Sequence, residues 1–64
     1  MNKILRTVKK KQGDEWIIVR LADVEVGDTF IMFDDDIQVG GKWLAESNPS
    51  LKDSVWGIVA RELV

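Results

Sequence analysis

Apolar residues in this chain recur at every second position, in short runs separated by turn-forming residues, and that spacing suits strands better than helices. In "KILRTVKK" (Lys3 to Lys10) Ile4, Arg6 and Val8 fall on one side and Leu5 and Thr7 on the other, and "EWIIVRL" (Glu15 to Leu21) is rich in β-branched residues. Between them "KQGD" supplies a glycine, Gly13, for the positive φ of a hairpin turn. "ADVEVGD" reads as a loop with one 3₁₀ turn that Asp23 can cap, and Gly27-Asp28 redirects the chain. A third strand is expected over Thr29 to Phe33, with Phe30 and Met32 on one face and Ile31 and Phe33 on the other. A fourth runs from Gln38 to Glu46, bent or bulged at Gly40-Gly41. "SNPSLKDS" (Ser47 to Ser54) is a loop by composition. Val55 to Leu63 closes the chain as a strand, because Gly57 and the β-branched residues disfavour the helical alternative. The expected fold is all-β: one small domain over residues 1–64, of about five short antiparallel strands in a meander that curls into a small SH3-like barrel or a strongly bent sheet.

A chain of 64 residues buries only a thin core, and small domains often lean on disulfides, metals or self-association. This one has no Cys and no His, which removes disulfides, thiolate sites and the commonest transition-metal ligand. The same absences leave no general base of the usual kind and no thiol nucleophile; Ser47, Ser50 and Ser54 have no activating partner beyond Lys52, so no enzyme activity and no cofactor are expected. Apolar residues at 45% and charged residues at 31% describe a folding chain and not a disordered one. No uncharged run approaches bilayer length, and residues 1–20 lack the apolar block of a secretory signal, so no membrane association is expected. The net charge of −2 divides into +4 over residues 1–20 and −6 over residues 21–64. Such a split suits either attraction between the halves, within a fold or between copies, or a basic end that meets an acidic partner.

The order "LADVEVGDTFIMF", then "GGKWLAESNP", then "VWGI" resembles small phage- or prophage-encoded proteins of unassigned function, over roughly residues 21–60. In those proteins a GD-x-F turn and strand precede an aromatic strand, an Asn/Asp-Pro loop and a closing Trp strand. The resemblance implies a phage-encoded accessory or structural protein in the host cytoplasm or the virion, and it carries over no functional residue.

Three motifs invite a chemical reading. The first is the carboxylate triplet Asp34, Asp35 and Asp36. A Ca²⁺ loop started at Asp34 needs Gly at its sixth position and Glu at its twelfth, where Val39 and Ala45 stand, and neighbouring side chains of an extended chain diverge. A solvated turn with a protective negative rim is the expected role, without a bound ion. The second is Lys9, Lys10 and Lys11, which suggest phosphate attraction but are expected at a solvated hairpin tip, since the aromatic-bearing half of the chain is acidic. The third is the set of three tryptophans: Trp56 is the expected core residue, Trp16 the next, and Trp43 stands between core and contact roles.

The expected function is that of a non-enzymatic interaction module that binds a protein partner or its own copies through Ile31, Phe33, Trp43 and the carboxylates Asp34, Asp35 and Asp36. Two alternatives stand beside it. One is nucleic-acid association through Lys9, Lys10 and Lys11, and the other is an acidic mimic of nucleic acid built on Glu25, Asp28 and the triplet.

Overall fold

The computed structural model describes residues 6–63. Eight short strands and one 3₁₀ turn follow in order: β1 Arg6–Gln12, β2 Glu15–Val19, the 3₁₀ turn Leu21–Asp23, β3 Thr29–Asp34, β4 Ile37–Gln38, β5 Lys42–Ala45, β6 Ser50–Lys52, β7 Val55–Gly57 and β8 Ala60–Leu63. The fold is all-β, and every pairing is antiparallel. The main sheet has the order β2-β1-β3-β5-β8, with β4 also on β3, while β6 and β7 form a separate two-stranded hairpin. The first hairpin therefore offers β1, not β2, to β3, and β2 is left as an outer strand. Residues 3–5 of the expected first strand lie outside the described residues.

The expected fourth strand, Gln38 to Glu46, is two strands. Phe33 pairs with Gln38 and Phe30 with Trp43, so two extra residues interrupt the ladder opposite β3. The Val39–Gly41 segment takes them up: Val39 N–H donates to the Met32 carbonyl at 2.9 Å, and Gly40 has φ +68°. The bend sought at Gly40-Gly41 is there, and its reason is an aromatic ring. A Cβ on Gly40 would lie 2.8 Å from the Trp43 ring, whose indole N–H donates to the Val39 carbonyl at 3.1 Å.

Two further expectations are corrected. The run Val55 to Leu63 breaks at Ile58-Val59, because Val59 is bound from the side: its N–H donates to Ser47 Oγ at 3.1 Å and its carbonyl accepts from Glu46 N–H at 2.8 Å. The expected Ser47 to Ser54 loop contains β6, which pairs with β7 through Ser50–Gly57, Leu51–Trp56 and Lys52–Val55. Composition misses this strand because its turn, Asp53-Ser54, reaches positive φ (52° and 64°) without a glycine.

Val8, Val24, Phe30 and Ala45 form the buried core, with Val19, Leu21, Met32, Trp43, Ile58 and Ala60 packed against it. Strand register explains the choice. Val8 faces Met32, Phe30 faces Trp43 and Ala45 faces Ala60, and directly paired residues project to the same side of a sheet. Val24 reaches the core from the loop, which is held by Gly27 N–H to the Ala45 carbonyl, Ala45 N–H to the Asp28 carbonyl and Val26 N–H to Asn48 Oδ1, each at 2.9 Å. Trp56, expected as the principal core residue, is 45% exposed, because the break at Ile58 sends it out with the β6–β7 hairpin. Trp16 is half-buried, but on the opposite side of the sheet from Phe30.

Candidate interaction surface

The segments outside the main sheet gather on the core side. Trp56 and Ile58 line a cleft of about 300 Å³ there together with Leu21, Met32 and Trp43. The opposite face has no second layer among the described residues. Its side chains follow from the register: Thr7 opposite Phe33, Lys9 between Ile18 and Ile31, Lys11 opposite Trp16, Leu44 between Thr29 and Arg61, and Lys42 opposite Leu63.

This face segregates charge in a way that composition conceals. Its paired positions include the cations Lys9, Lys11, Lys42 and Arg61 and no carboxylate, whereas Glu15, Asp34 and Glu62 register on the core side; the carboxylates that reach this face come from unpaired positions, Glu46 at 3.4 Å from Arg61 and Asp36 beside Lys9. A chain of net charge −2 thus turns one basic, partly apolar surface to water. Lys9 Nζ stands 5.4 Å from the centre of the Phe33 ring and Lys11 Nζ 5.7 Å from that of Trp16, both at cation–π range. At the Lys9–Phe33 pair lies an open groove of about 290 Å³ lined by Thr7, Lys9, Ile18, Phe33 and Asp36, with Ile18 72% exposed.

The sequence-predicted residues divide across the two faces. Ile31 and Phe33 lie half-buried on the open face, while Trp43 packs against the core on the other side, so the three do not form one surface. The lysine triplet is no solvated tip. It lies within β1: Lys9 and Lys11 project to the open face, whereas Lys10 is on the core side, 3.7 Å from Asp28 and 3.5 Å from the Asp23 carbonyl. Pairing of β3 with β1 carries Phe33 from the acidic half of the chain to the side of Lys9.

The carboxylate triplet divides as well. Asp34 ends β3 and accepts a two-pronged bond from Arg6, with Nε at 2.8 Å from Oδ1 and Nη2 at 3.1 Å from Oδ2. That hydrogen bond, reinforced by the guanidinium charge, holds the Asp34 carboxyl below its ordinary value. Asp35 and Asp36 occupy the two-residue turn to β4 with φ +50° and +70°, a left-handed pair that aspartate tolerates through local side-chain bonding. Among the described residues no group of three or more His, Cys, Asp or Glu is arranged to hold a metal ion. Asp23 is depressed likewise, first by the Arg20 side-chain bond at 3.3 Å. Of the carboxylates considered for mimicry of nucleic acid, Asp34 is paired with Arg6 and Asp28 with Lys10.

Residue-by-residue reasoning overlooked Lys42, Arg61, Trp16 and Ile18 as members of the open face. The period-two pattern about Gly13 could have placed Trp16 and Ile18 beside Lys11 and Lys9, since a two-residue turn fixes the register of its hairpin. Lys42 and Arg61 needed the β5–β8 pairing, which no local signal announces. Among the described residues, no helix is long and apolar enough to cross a membrane. Comparison with protein-family models, curated proteins and solved structures returns no match to this chain.

Proposed function

We propose that the chain is a small non-enzymatic interaction module that receives a protein partner on the open face of its main sheet. The setting implied by the phage resemblance, an accessory or structural protein, fits that role. One observation carries the reading: a sheet face with Ile18, Ile31 and Phe33 among registered cations has no layer over it among the described residues. Fully covering side chains of this kind is worth about 1.5–3 kcal/mol each, and the ring of cations favours a partner surface whose apolar residues stand among carboxylates. Affinity-tagged protein incubated with host lysate tests the reading. Wild type retains a defined partner in high salt, and Phe33→Asp loses it while keeping the β-sheet circular dichroism spectrum. Retention of the same partner by a folded Phe33→Asp variant removes the proposal.

A second reading has its own support. Lys9 beside Phe33 and Lys11 beside Trp16 set cations next to stacking platforms on a single sheet face, an arrangement suited to single-stranded nucleic acid. Quenching of Trp fluorescence by an oligonucleotide, with affinity falling steeply as salt rises, selects this reading over the first.

A further inference from the structure

The two outer strands of the main sheet are built differently. β8 is four residues long and carries Arg61 and Glu62 at its centre, the kind of charged, short edge that discourages further pairing. β2 has five residues, Glu-Trp-Ile-Ile-Val, with its one charge at the end, no proline, and an unbroken register of five pairs with β1. Its outer side has no pairing strand among the described residues.

We propose that β2 pairs antiparallel with β2 of a second copy, about a twofold axis through Ile17. This goes beyond the open-face reading and does not depend on it. Three features converge on that register. First, the Gly13-Asp14 turn joins β1 to β2 by two residues, with Gly13 at φ +63°, so Gln12 and Glu15 form the hydrogen-bonded pair that closes the hairpin. Bonded and non-bonded pairs then alternate, and Trp16 and Ile18 turn their N–H and C=O groups to the open edge.

Second, a twofold between antiparallel strands stands perpendicular to the sheet and sets residues of the same face opposite one another. Centred on Ile17, it places Trp16 against Ile18 of the second copy and Ile18 against its Trp16. Each such pair exchanges two backbone bonds, and the indole covers an isoleucine that is 72% exposed in the single chain.

Third, charge selects this centre over its neighbours. With the axis at Ile17, Asp14 faces Arg20 of the second copy on both sides. Moving the axis to Trp16 sets Asp14 against Ile18, and moving it to Ile18 sets Arg20 against Trp16. The Arg20 side chain is 85% exposed and linked only at 3.3 Å to Asp23, so it is free to reach across. The result is one continuous sheet through two copies, with both lysine-bearing faces on the same side.

The test uses the whole chain. Sedimentation and light scattering from micromolar to millimolar concentration show a two-chain species, and amide exchange at Trp16 and Ile18 slows as concentration rises, while that of Arg61 and Glu62 in β8 does not. Asp14→Lys, in an exposed turn, weakens association about tenfold by turning two attractions into repulsions, and Asp14→Lys with Arg20→Glu recovers it. Ile18→Pro, which removes an outward N–H but no hairpin bond, abolishes the pair. A monomer throughout, or exchange at Trp16 and Ile18 independent of concentration, overturns the proposal. So does a dimer that Asp14→Lys leaves intact and Phe33→Asp dissolves, since that result assigns association to the open face. If Asp14→Lys dissociates the copies while Phe33→Asp leaves partner capture unchanged, the edge proposal stands and the open-face reading falls.

Discussion

The first and last hairpins of this chain are both closed by two-residue turns and reach opposite fates. β1 and β2 are joined by a two-residue turn with Gly13 at positive φ, hold five registered pairs, and have β3 along the free side of β1. β6 and β7 are joined by Asp53 and Ser54, both at positive φ, yet hold three pairs, have no third strand among the described residues, and leave all six strand residues exposed. An isolated two-stranded hairpin is marginal in water, and a third strand with a buried face makes the difference. The first hairpin is therefore part of the core, and the second is an arm held at the cleft by Trp56 and Gly57 of β7.

The largest effect falls on the residue that supplies the third strand's contribution. Phe30 is fully buried, opposite Lys10 of β1 and Trp43 of β5. Phe30→Ala is expected to cost about 3–5 kcal/mol, as much as a single core of this size provides, so the variant is unfolded at room temperature by far-UV circular dichroism. Leu51→Ala in the arm, at a residue 57% exposed, should stay within about 0.5 kcal/mol of wild type. A variant at Leu51 that melts the whole chain would erase the distinction between the hairpins.

Next in size is the first turn. Gly13→Val forces a β-branched residue to φ near +63° and is expected to cost about 1–3 kcal/mol, read as a fall in melting temperature of roughly 4–8 °C for each kcal/mol. The loss should be global, since the first hairpin carries Val8 into the core.

How legible the fold was follows the same division. The β1–β2 hairpin, the 3₁₀ turn and the two-faced strand at Thr29–Phe33 were readable because each has a local signal: alternation, a glycine, a turn dipeptide. The arm was not, since Asp53-Ser54 adopts left-handed backbone without glycine and Leu51 and Trp56 define a strand only through each other. The break at Val59 depends on Ser47 Oγ, twelve residues away in sequence. The candidate surface was half legible. Ile31 and Phe33 follow from alternation alone, but their company does not: Lys9 arrives through the β1–β3 register and Trp43 leaves through the β3–β5 register, both long-range pairings.

A smaller effect tests the arm from its own turn. Ser54 at φ +64° has the conformation that glycine adopts freely and other L-residues at about 1–2 kcal/mol. Ser54→Gly should slow amide exchange within Lys52 and Val55 by relieving that strain, while the melting temperature of the chain stays nearly constant. The arm would then be a separate unit of opening, as its exposure implies. A rise of several degrees in global melting would instead make it part of the cooperative core.

The smallest effect concerns the bond that ties the first hairpin to its third strand. Arg6 at the start of β1 grips Asp34 at the end of β3 with both prongs, an attachment for which the β6–β7 arm shows no counterpart ion pair among the described residues. The Arg6 hydrogen bond, and then its charge, lowers the Asp34 pKa below the ordinary 3.8, so the folded state holds the proton less tightly than the unfolded chain. The stabilisation is therefore fully present above that ordinary value and is lost as pH falls through the depressed folded one. Asp23, depressed by Arg20, adds a parallel acid limb, so total stability against pH cannot isolate the pair. Arg6→Gln does: its urea midpoint should lie slightly below wild type at about pH 7 and converge with it as pH falls through the depressed Asp34 titration, while the NMR titration of the Asp34 carboxyl moves up toward the ordinary carboxylate range and that of Asp23 stays. An Asp34 titration unchanged by Arg6→Gln would mean that the ion pair adds nothing to the strand pairing that joins the first hairpin to β3, leaving the third strand and its buried face to account for the difference between the two hairpins.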